Sequence, residues 1–363
     1  MPRRFVRLAL LSGAAALAVP AQADTLRDAL AQANVANPTL LAARAQQRAN
    51  DENEPIQRAN GLPDVRSTVN HVEFLRRSPN SFTAPERTLQ AGIDLTVPLY
   101  SGGAVKNSVR AARDRIEAGR ADLRGPESAV FSQVVAAYMD VLRSQALVAL
   151  SANQVDVLSV NLEATRDRFE IGDLTRTDIA QSEARLAVAQ SDLRSAQANL
   201  IGARENYIAL VGKAPTALEP PPPLPGLPAN VDEAVAIALE YNPDLIAAQE
   251  RAEASEHDVR VAGASRLPTL GAFAGADYTN YFGTLGGPVA ATLEQKETTA
   301  NAGLRLTIPI FQGGRPAAQV RQAQARSTAA LENVIAAERD TIAQTRASWS
   351  SWHGSPTPPT RRR

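Results

Sequence analysis

The chain has 363 residues, no cysteine, and a formal charge of zero from 38 basic and 38 acidic side chains. The lack of cysteine excludes a disulfide scaffold, thiolate metal sites and lipid attachment through an N-terminal cysteine, and the balanced charge gives no indication of a nucleic-acid partner. Aromatic residues make up only 4% of the chain, so long Ala-rich helices with small-residue seams are a better expectation than a conventional globular core.

The N-terminus has the pattern of a secretory signal peptide, which we assign to residues 1–23. Three arginines precede an apolar core from Leu8 to Val19, and Ala21-Gln22-Ala23 is a cleavage site of the small-x-small kind. The apolar core is about a dozen residues long, too short to cross a bilayer as a helix. No later stretch approaches 18 consecutive apolar residues, so a membrane location would require β-strands.

The mature sequence contains an internal duplication. Asn37-Pro38 matches Asn242-Pro243 at an offset of 205 residues, and Val97–Gly103 matches Ile308–Gly314 at an offset of 211. In each copy a short helix is expected to end at Asn-Pro, where a longer helix begins, because proline is accepted in the first turn of a helix.

Each longer helix is followed by two extended segments with alternating apolar and polar residues, which predict strands. Pro98 and Pro309 are expected to end the second strand of each pair, and Gly-Gly then turns the chain into another long helix, from about residue 104 and about residue 316. The predicted strands are near residues 65–76, 88–99, 269–281 and 298–310.

The longest pattern is a seven-residue apolar repeat between Pro126 and Val211. It is interrupted at Ile171-Gly172-Asp173-Leu174 and resumes at Ile179. Because a strict seven-residue repeat keeps one seam facing a partner helix, two such arms joined by a tight turn are expected to form an antiparallel coiled-coil hairpin. Taken alone, this pattern is equally typical of a structural coiled coil. Pro126 predicts a kink or a break in the first arm.

The second copy is shorter than the first. Tyr138 corresponds to Trp349, so counterparts of residues 153–212 are expected to be missing. We interpret the Pro-rich, basic end as the product of a frameshift or premature stop, with a genuine short variant as the alternative. The predicted organisation is a signal peptide (1–23), a first repeat (24–214), a Pro-rich linker (215–230), a truncated second repeat (231–352) and an aberrant tail (353–363).

The ordered motifs resemble the TolC family of outer-membrane channel proteins, most closely its type I secretion branch. The matching residues are Asn37–Arg44, Val97–Gly103, Asp167–Asp178 and Gln181–Leu186. The resemblance implies a mainly α fold with a small β part, built from long antiparallel coiled-coil helices and two β-hairpins. Three chains of four strands each would close a trimeric 12-stranded barrel in the outer membrane, and the helices would continue as a tunnel across the periplasm.

The resemblance also implies a function as a passive export duct of a tripartite efflux or type I secretion system. The implied partners are two further copies of the chain in a homotrimer, outer-membrane lipid, a periplasmic adaptor protein and an inner-membrane pump of the ABC or RND type. Neither enzymatic activity nor a cofactor is expected. One alternative is a non-functional remnant of such a channel. A periplasmic adaptor is the other, but adaptors lack the duplicated helix–strand–strand–helix plan.

The resemblance assigns roles to the interruption between the two arms. At a periplasmic tip, Gly172, Asp173 and Leu174 would dock the adaptor. The tunnel entrance would be gated by Arg176, Thr177 and Asp178. The residues alone support simpler roles, since Asp173 suits an ordinary turn and Thr177 or Asp178 could cap the second arm.

Aromatic and histidine residues are two further sets of candidates. The aromatic side chains could form girdles at the membrane interfaces, or could simply flank turns. His71, His257 and His353 lack the spacing of metal ligands, so no metal site is expected. The aromatic set is Tyr100, Tyr278, Tyr281, Phe282 and Phe311.

Overall fold

The computed structural model describes residues 25–76, 85–222 and 226–354. The signal peptide and nearly all of the predicted tail therefore lie outside the described residues. The described helices are α1 (Leu26–Ala36), α2 (Pro38–Asp51), α3 (Asn53–Ala59), α4 (Ala104–Glu170), α5 (Arg176–Val211), α6 (Val231–Tyr241), α7 (Pro243–Ala264) and α8 (Arg315–Gly354). The described strands are β1 (Asp64–Glu73), β2 (Arg87–Tyr100), β3 (Thr269–Asn280) and β4 (Lys296–Thr307).

The order of elements repeats as the duplication predicts. Helices α1 to α3, strands β1 and β2 and helix α4 are followed later by α6, α7, β3, β4 and α8. Both Asn-Pro pairs separate two helices, and Asn242 caps α7 by accepting hydrogen bonds from the backbone N–H groups of Asp244 (2.8 Å) and Leu245 (3.2 Å). The mainly α fold with a small β part is confirmed.

The four strands form one antiparallel sheet in the order β1-β2-β3-β4. The two predicted hairpins are therefore joined, because β2 of the first copy pairs with β3 of the second. The prediction that Pro98 ends its strand is wrong, since β2 continues to Tyr100. Proline cannot donate to the ladder, and the register shifts between Pro98 and Tyr100 to accommodate it. Strand β4 ends at Thr307, two residues before Pro309.

Helix α4 continues through Pro126 without interruption over 67 residues. Of the predicted kink or break, the break is therefore wrong, and the kink stays a prediction. The buried side chains of Ala121 and Val130 flank the proline, and packing on either side of it offsets a cost of about 3 kcal/mol. Among the described helices, α4 alone is long and apolar enough to cross a membrane by length and composition, with a mean hydropathy of 1.3 over 18 residues.

The described chain divides into two compact units, and α4 contributes to both. The first unit comprises residues 25–38 and 129–222. Its core joins Tyr138 of α4 to Tyr207 of α5, with the ring centroids 6.4 Å apart. The Tyr138 side chain is fully buried, and its hydroxyl donates a hydrogen bond of 2.6 Å to the backbone carbonyl of Glu219. This single side chain ties two helices and the following loop together.

The second unit comprises residues 39–128 and 226–354 and includes the sheet. Its helices meet at small side chains, with Ala118 and Ala121 of α4 packed against Ala247 of α7. Gly119 leaves room for the buried side chain of Gln47, since a Cβ atom on Gly119 would clash with the Oε1 atom of Gln47. Gln47 donates to the backbone carbonyl of Ile116 at 3.2 Å.

Replacement of Tyr138 by alanine should destabilise the protein by about 3–5 kcal/mol, as is usual for a buried aromatic side chain. Tyr138→Phe should cost about 1 kcal/mol, because the hydroxyl's hydrogen bond to Glu219 is lost while the aromatic ring is kept. Both effects are measurable by thermal unfolding in detergent, followed by circular dichroism. Tyr241→Ala is the control, since Tyr241 is 61% exposed on α6. Equal melting temperatures for all three variants would contradict a structural role for Tyr138 in the core.

Candidate functional site

The sheet has one apolar and one predominantly polar face. The strand registers place alternate residues of all four strands on a common side. On one side the residues between the level of Leu270 and that of Tyr278 are aliphatic except Ser67, whereas polar residues such as His71, Glu73, Arg87, Asn280 and Lys296 lie beyond Tyr278. Within the single chain several of the aliphatic side chains are open to solvent, with Val65 and Leu304 both 68% exposed. The aliphatic residues of this apolar face are Val65, Val69, Leu89, Ala91, Ile93, Leu95, Val97, Leu270, Ala272, Ala274, Ala276, Ala300, Ala302, Leu304 and Leu306.

The opposite face carries charged and hydroxyl side chains. The Arg66 guanidinium pairs with the Asp64 carboxylate at 2.7 Å, and Arg66 lies opposite Asp94 in the ladder. Phe273 is an exception to the polar character, and its ring lies 5.0 Å from the Arg305 guanidinium. The main residues of this polar face are Asp64, Arg66, Thr68, Asn70, Gln90, Asp94, Thr96, Asp277, Thr279, Thr299, Asn301 and Arg305.

A register irregularity in β2 brings an aromatic residue to the apolar face. Between Pro98 and Tyr100 the strand holds one extra residue. Tyr100 therefore pairs with Leu270 and lies on the apolar face. Tyr278 lies on the same face near the other end of β3. Eight residues separate Leu270 from Tyr278, which at roughly 3.3 Å per residue is about 26 Å. The two tyrosines therefore bound an apolar band close to the roughly 25 Å typical of an outer-membrane barrel.

The other aromatic residues of the predicted girdles lie in the loops next to the strands. Tyr281 and Phe282 follow β3, and the Phe282 backbone has a φ of 53°. The Phe282 ring packs edge-on against His71 of β1, with centroids 6.0 Å apart. Phe311 follows β4 and is 87% exposed.

The turn between α4 and α5 is fixed by its backbone. Just beyond the end of α4, Gly172 lies in the left-handed region at a φ of 85°. The N–H of Asp173 donates to the carbonyl of Arg168 at 2.9 Å, and the N–H of Gly172 donates to the carbonyl of Phe169 at 2.9 Å. These two bonds are those of a Schellman motif. The predicted turn residue Asp173 is exposed, and its carboxylate pairs with the Arg168 guanidinium at 2.6 Å.

Helix α5 begins with a cap at a different residue from the two predicted. The N-cap is Thr175 rather than Thr177 or Asp178. The Asp178 carboxylate accepts from the Thr175 hydroxyl at 2.7 Å and from its backbone N–H at 2.8 Å. The pKa of Asp178 lies below its ordinary value, and the hydrogen bond from the Thr175 hydroxyl is the largest cause. Arg176 and Thr177 are exposed in the first turn of α5.

Side chains near the turn also join the two arms. The Arg166 guanidinium of α4 pairs with the Glu183 carboxylate of α5 at 2.7 Å, and the hydroxyls of Thr165 and Ser182 are 3.4 Å apart. The Arg166 side chain is 56% exposed. Exposed pairs of this kind contribute little stability, so the seam beneath them carries most of the association between the arms.

The second unit contains a carboxylate cluster that was not predicted from the sequence. Oxygens of Asp114, Glu250 and Glu253 lie within 4.8 Å of one another, and the Nε2 atom of His257 is 3.6 Å from Asp114. Burial raises the pKa of Asp114, against the opposing influence of His257. Burial and then the neighbouring carboxylates raise the pKa of Glu250. The i,i+3 spacing of Glu250 and Glu253 is visible in the sequence, but their proximity to Asp114 requires the packing of α4 on α7.

Comparison with known proteins identifies the class to which this fold belongs. Residues 29–213 and 234–355 match the family model for outer membrane efflux proteins. The outer membrane efflux protein BepC of Brucella suis is 32% identical over 315 residues, which cover 87% of this chain and 67% of BepC. The outer membrane protein TolC of Vibrio cholerae is 24% identical, over 90% of this chain and 74% of TolC.

The solved structure of CusC has the same fold. It superposes with a TM-score of 0.68 at 18% identity, over 87% of this chain and 73% of the CusC chain. Fold and sequence together define an outer-membrane channel protein of the TolC type. The chain belongs to the outer membrane efflux protein family. Its location is the outer membrane, and its function is that of an efflux or secretion channel.

The carboxylate cluster gives a prediction about stability. Glu250→Gln should raise the melting temperature at neutral pH, because it removes a charge from a partly buried group crowded by other carboxylates. A raised folded-state pKa favours folding at low pH and is unfavourable once the group ionises. The advantage of Glu250→Gln should therefore shrink as the pH falls towards the ordinary value of 4.5.

Thermal unfolding of both proteins across this pH range tests the prediction. Glu332→Gln on the exposed face of α8 is the matched control and should change the melting temperature little at any pH. A stabilisation by Glu250→Gln that persisted in acid would show that ionisation is not its cause.

Proposed function

We propose that three copies of this chain form a passive export duct whose sheets close a 12-stranded barrel in the outer membrane. The observation that carries this proposal is the apolar face of the sheet, exposed in the single chain and bounded by Tyr100 and Tyr278. Exposed aliphatic surface of this extent is unfavourable in water and favourable against lipid. Tyr100, Tyr278, Tyr281, Phe282 and Phe311 would form the interfacial girdles.

The edges of the sheet support closure between subunits. Strands β1 and β4 are the outer strands and pair on one side only within the described chain. Unpaired backbone groups are costly in hydrocarbon, so an open sheet cannot remain in a membrane. Pairing β4 of one subunit with β1 of the next would satisfy both edges, and three subunits of four strands would give an even-numbered barrel.

The polar face would then line the lumen. Asp64, Arg66, Asp94 and Arg305 present charges of both signs there, which suits a hydrated passage for solutes. The chain is expected to move cargo without chemistry of its own, with energy supplied by an ABC or RND pump in the inner membrane. BepC carries the name of an outer membrane efflux protein, which supports efflux as the transport that this duct serves.

The turn between α4 and α5 would be the docking site for a periplasmic adaptor. Gly172 and Asp173 are exposed and held in one conformation by the Schellman bonds, and Leu174 offers a half-buried apolar side chain beside them. A rigid, exposed turn is suited to recognition because little conformational entropy is lost on binding. Arg176, Thr177 and Asp178 begin the neighbouring helix, where contacts to adjacent hairpins would hold the entrance closed.

The assembly can be tested on chain extracted from outer membranes in detergent. We expect a trimer that dissociates on heating and that gives discrete single-channel conductance in planar bilayers. A soluble monomer without conductance would contradict the proposal and favour a non-functional remnant. A chain that associates only with the inner membrane would instead favour a periplasmic adaptor.

The docking role predicts a specific effect of Gly172→Val. A β-branched residue at a φ of 85° strains the turn, so site-specific crosslinking to the adaptor in cells should fall several-fold while the trimer persists. Gly202→Ala is the matched control, since Gly202 lies inside α5 and a Cβ atom added there would meet no heavy atom within 4 Å other than the neighbouring backbone of its own helix. Undiminished crosslinking of Gly172→Val would exclude this turn as the docking site.

A further inference from the structure

The two hairpins of the sheet repeat each other's register. In the first hairpin Asp64 pairs with Thr96, and in the second Thr269 pairs with Thr307. These residues correspond, because the first strands of the two copies are related by an offset of 205 and the second strands by an offset of 211. Every other pair of the first hairpin has its counterpart in the second in the same way. The duplication therefore preserves strand pairing as well as sequence.

The two copies differ where the second strand of each hairpin extends past the first. Beyond Thr96, β2 continues to Tyr100, and in this part it pairs only with β3 of the other hairpin. Strand β4 stops at Thr307, the counterpart of Thr96. The next residue, Ile308, is 57% exposed, whereas its counterpart Val97 is half-buried. The extension thus forms only where a strand of another hairpin lies beside it.

The opposite end of the sheet shows the same difference between the first strands. Strand β3 has a neighbour on each side and continues to Asn280, which pairs with Leu89 of β2 and Lys296 of β4. Strand β1 has one neighbour among the described strands and ends at Glu73. Leu75, the counterpart of Asn280, is 97% exposed. Both edge strands therefore stop short of their counterparts inside the sheet.

A repeated glycine marks the same edge. A Cβ atom on Gly92 would meet Thr68 of its own hairpin at 3.6 Å and Asp277 of the other hairpin at 2.7 Å. At Gly303, the counterpart of Gly92, the three nearest heavy atoms all belong to Phe273 of its own hairpin. The glycine in β2 thus leaves room for a side chain from the neighbouring hairpin, and the glycine in β4 offers the same room at the open edge.

We propose that β4 of one subunit pairs with β1 of the next in the register that joins β2 to β3 within the chain. This inference rests on the proposed trimeric barrel and specifies its subunit interface. The pairs that define the register are Leu306 with Val69, Thr307 with Thr68 and Gly303 with Val72 of the next subunit. Their templates in the chain are Leu95 with Ala274, Thr96 with Phe273 and Gly92 with Asp277.

The same register lengthens β4 across Pro309. Phe311 would pair with Val65 of the next subunit, as Tyr100 pairs with Leu270, and would lie on the apolar face. A bulge at Pro309, like the one after Pro98, accommodates the missing N–H. Aliphatic residues of the two subunits then share one side of the barrel, because the register preserves the alternation of both strands. A slip of two residues would also preserve this alternation, so the experiment must distinguish the two.

Disulfide crosslinking measures the register directly, because the chain has no cysteine of its own. Directly opposed residues have Cβ atoms about 4.5–5.5 Å apart, close to the separation in a disulfide. Within one chain Thr68 and Thr307 lie on opposite edges of the four-stranded sheet, about 14 Å apart. Any disulfide between Thr68→Cys and Thr307→Cys must therefore join two subunits.

The doubly substituted chain is oxidised with copper phenanthroline in isolated outer membranes. After boiling without reductant, covalent dimers and trimers are expected, and reductant should return them to monomers. Val69→Cys with Leu306→Cys is the second pair to test. Neighbouring pairs of an antiparallel ladder alternate between wider and closer spacing, so one of the two pairs has the closer spacing.

The matched controls move one cysteine by two residues. Thr307→Cys is combined with Arg66→Cys or with Asn70→Cys, which keeps both thiols on the same face. Diagonal neighbours are about 7–8 Å apart, beyond the reach of a disulfide without backbone movement, so at least about five-fold less crosslinked product is expected.

Hydrogen exchange of the unsubstituted trimer gives a second measurement. Residues 308–311 should exchange as slowly as their counterparts 97–100, because both would be hydrogen-bonded strand. Free exchange of residues 308–311 in a stable trimer would overturn the proposal, as would crosslinking through Arg66→Cys or Asn70→Cys in preference to Thr68→Cys. Either result leaves the proposed duct intact. A chain that forms neither crosslinks nor a heat-sensitive trimer would overturn the register and the duct together.

Discussion

The long helices depend on one requirement, which is that an apolar seam on a helix must be covered by another helix. Propensity alone gives a helix in water only marginal stability, and most helical stability in proteins comes from packing of the apolar face. In the first unit, Tyr138, Val134 and Val141 of α4 are buried, and Tyr207 and Val211 of α5 are buried with them. The turn, its caps and the cross-arm ion pairs fix the geometry of this contact and contribute less to its free energy.

The same requirement applies to the apolar face of the sheet, for which the proposed cover is lipid. The helices of the same unit do not bury its apolar face, and Val65, Ile93 and Leu304 remain exposed in the single chain. The alternation along each strand is nevertheless strict enough that a slip of one residue would send these side chains to the polar side. Membership of an outer-membrane family supports the proposal that hydrocarbon covers one face of the sheet and water the other.

Most of the helices and strands can be predicted from the sequence because the patterns that specify them lie within each segment. The seven-residue repeat, the Asn-Pro boundaries and the alternation in the strands predicted the helices and strands to within a few residues. Features that depend on distant partners were missed, namely the pairing of β2 with β3 and the approach of Asp114 to Glu250. The strand end at Pro98 and the helix cap at Thr177 or Asp178 were predicted wrongly for a related reason. A proline is tolerated where a strand bulges, and a helix start is set by hydrogen-bond geometry that several neighbouring polar residues could satisfy equally well.

The turn at Gly172 has a consequence for how such channels diversify. Its shape is specified by backbone hydrogen bonds and by one glycine, whereas the side chains of Asp173 and Thr177 are exposed on its surface. Under the proposed docking role, substitutions at these positions would change what the turn recognises while the backbone hydrogen bonds keep its shape. Recognition and architecture would then be encoded by different residues, so a duplicated gene could acquire a new partner while keeping the same hairpin.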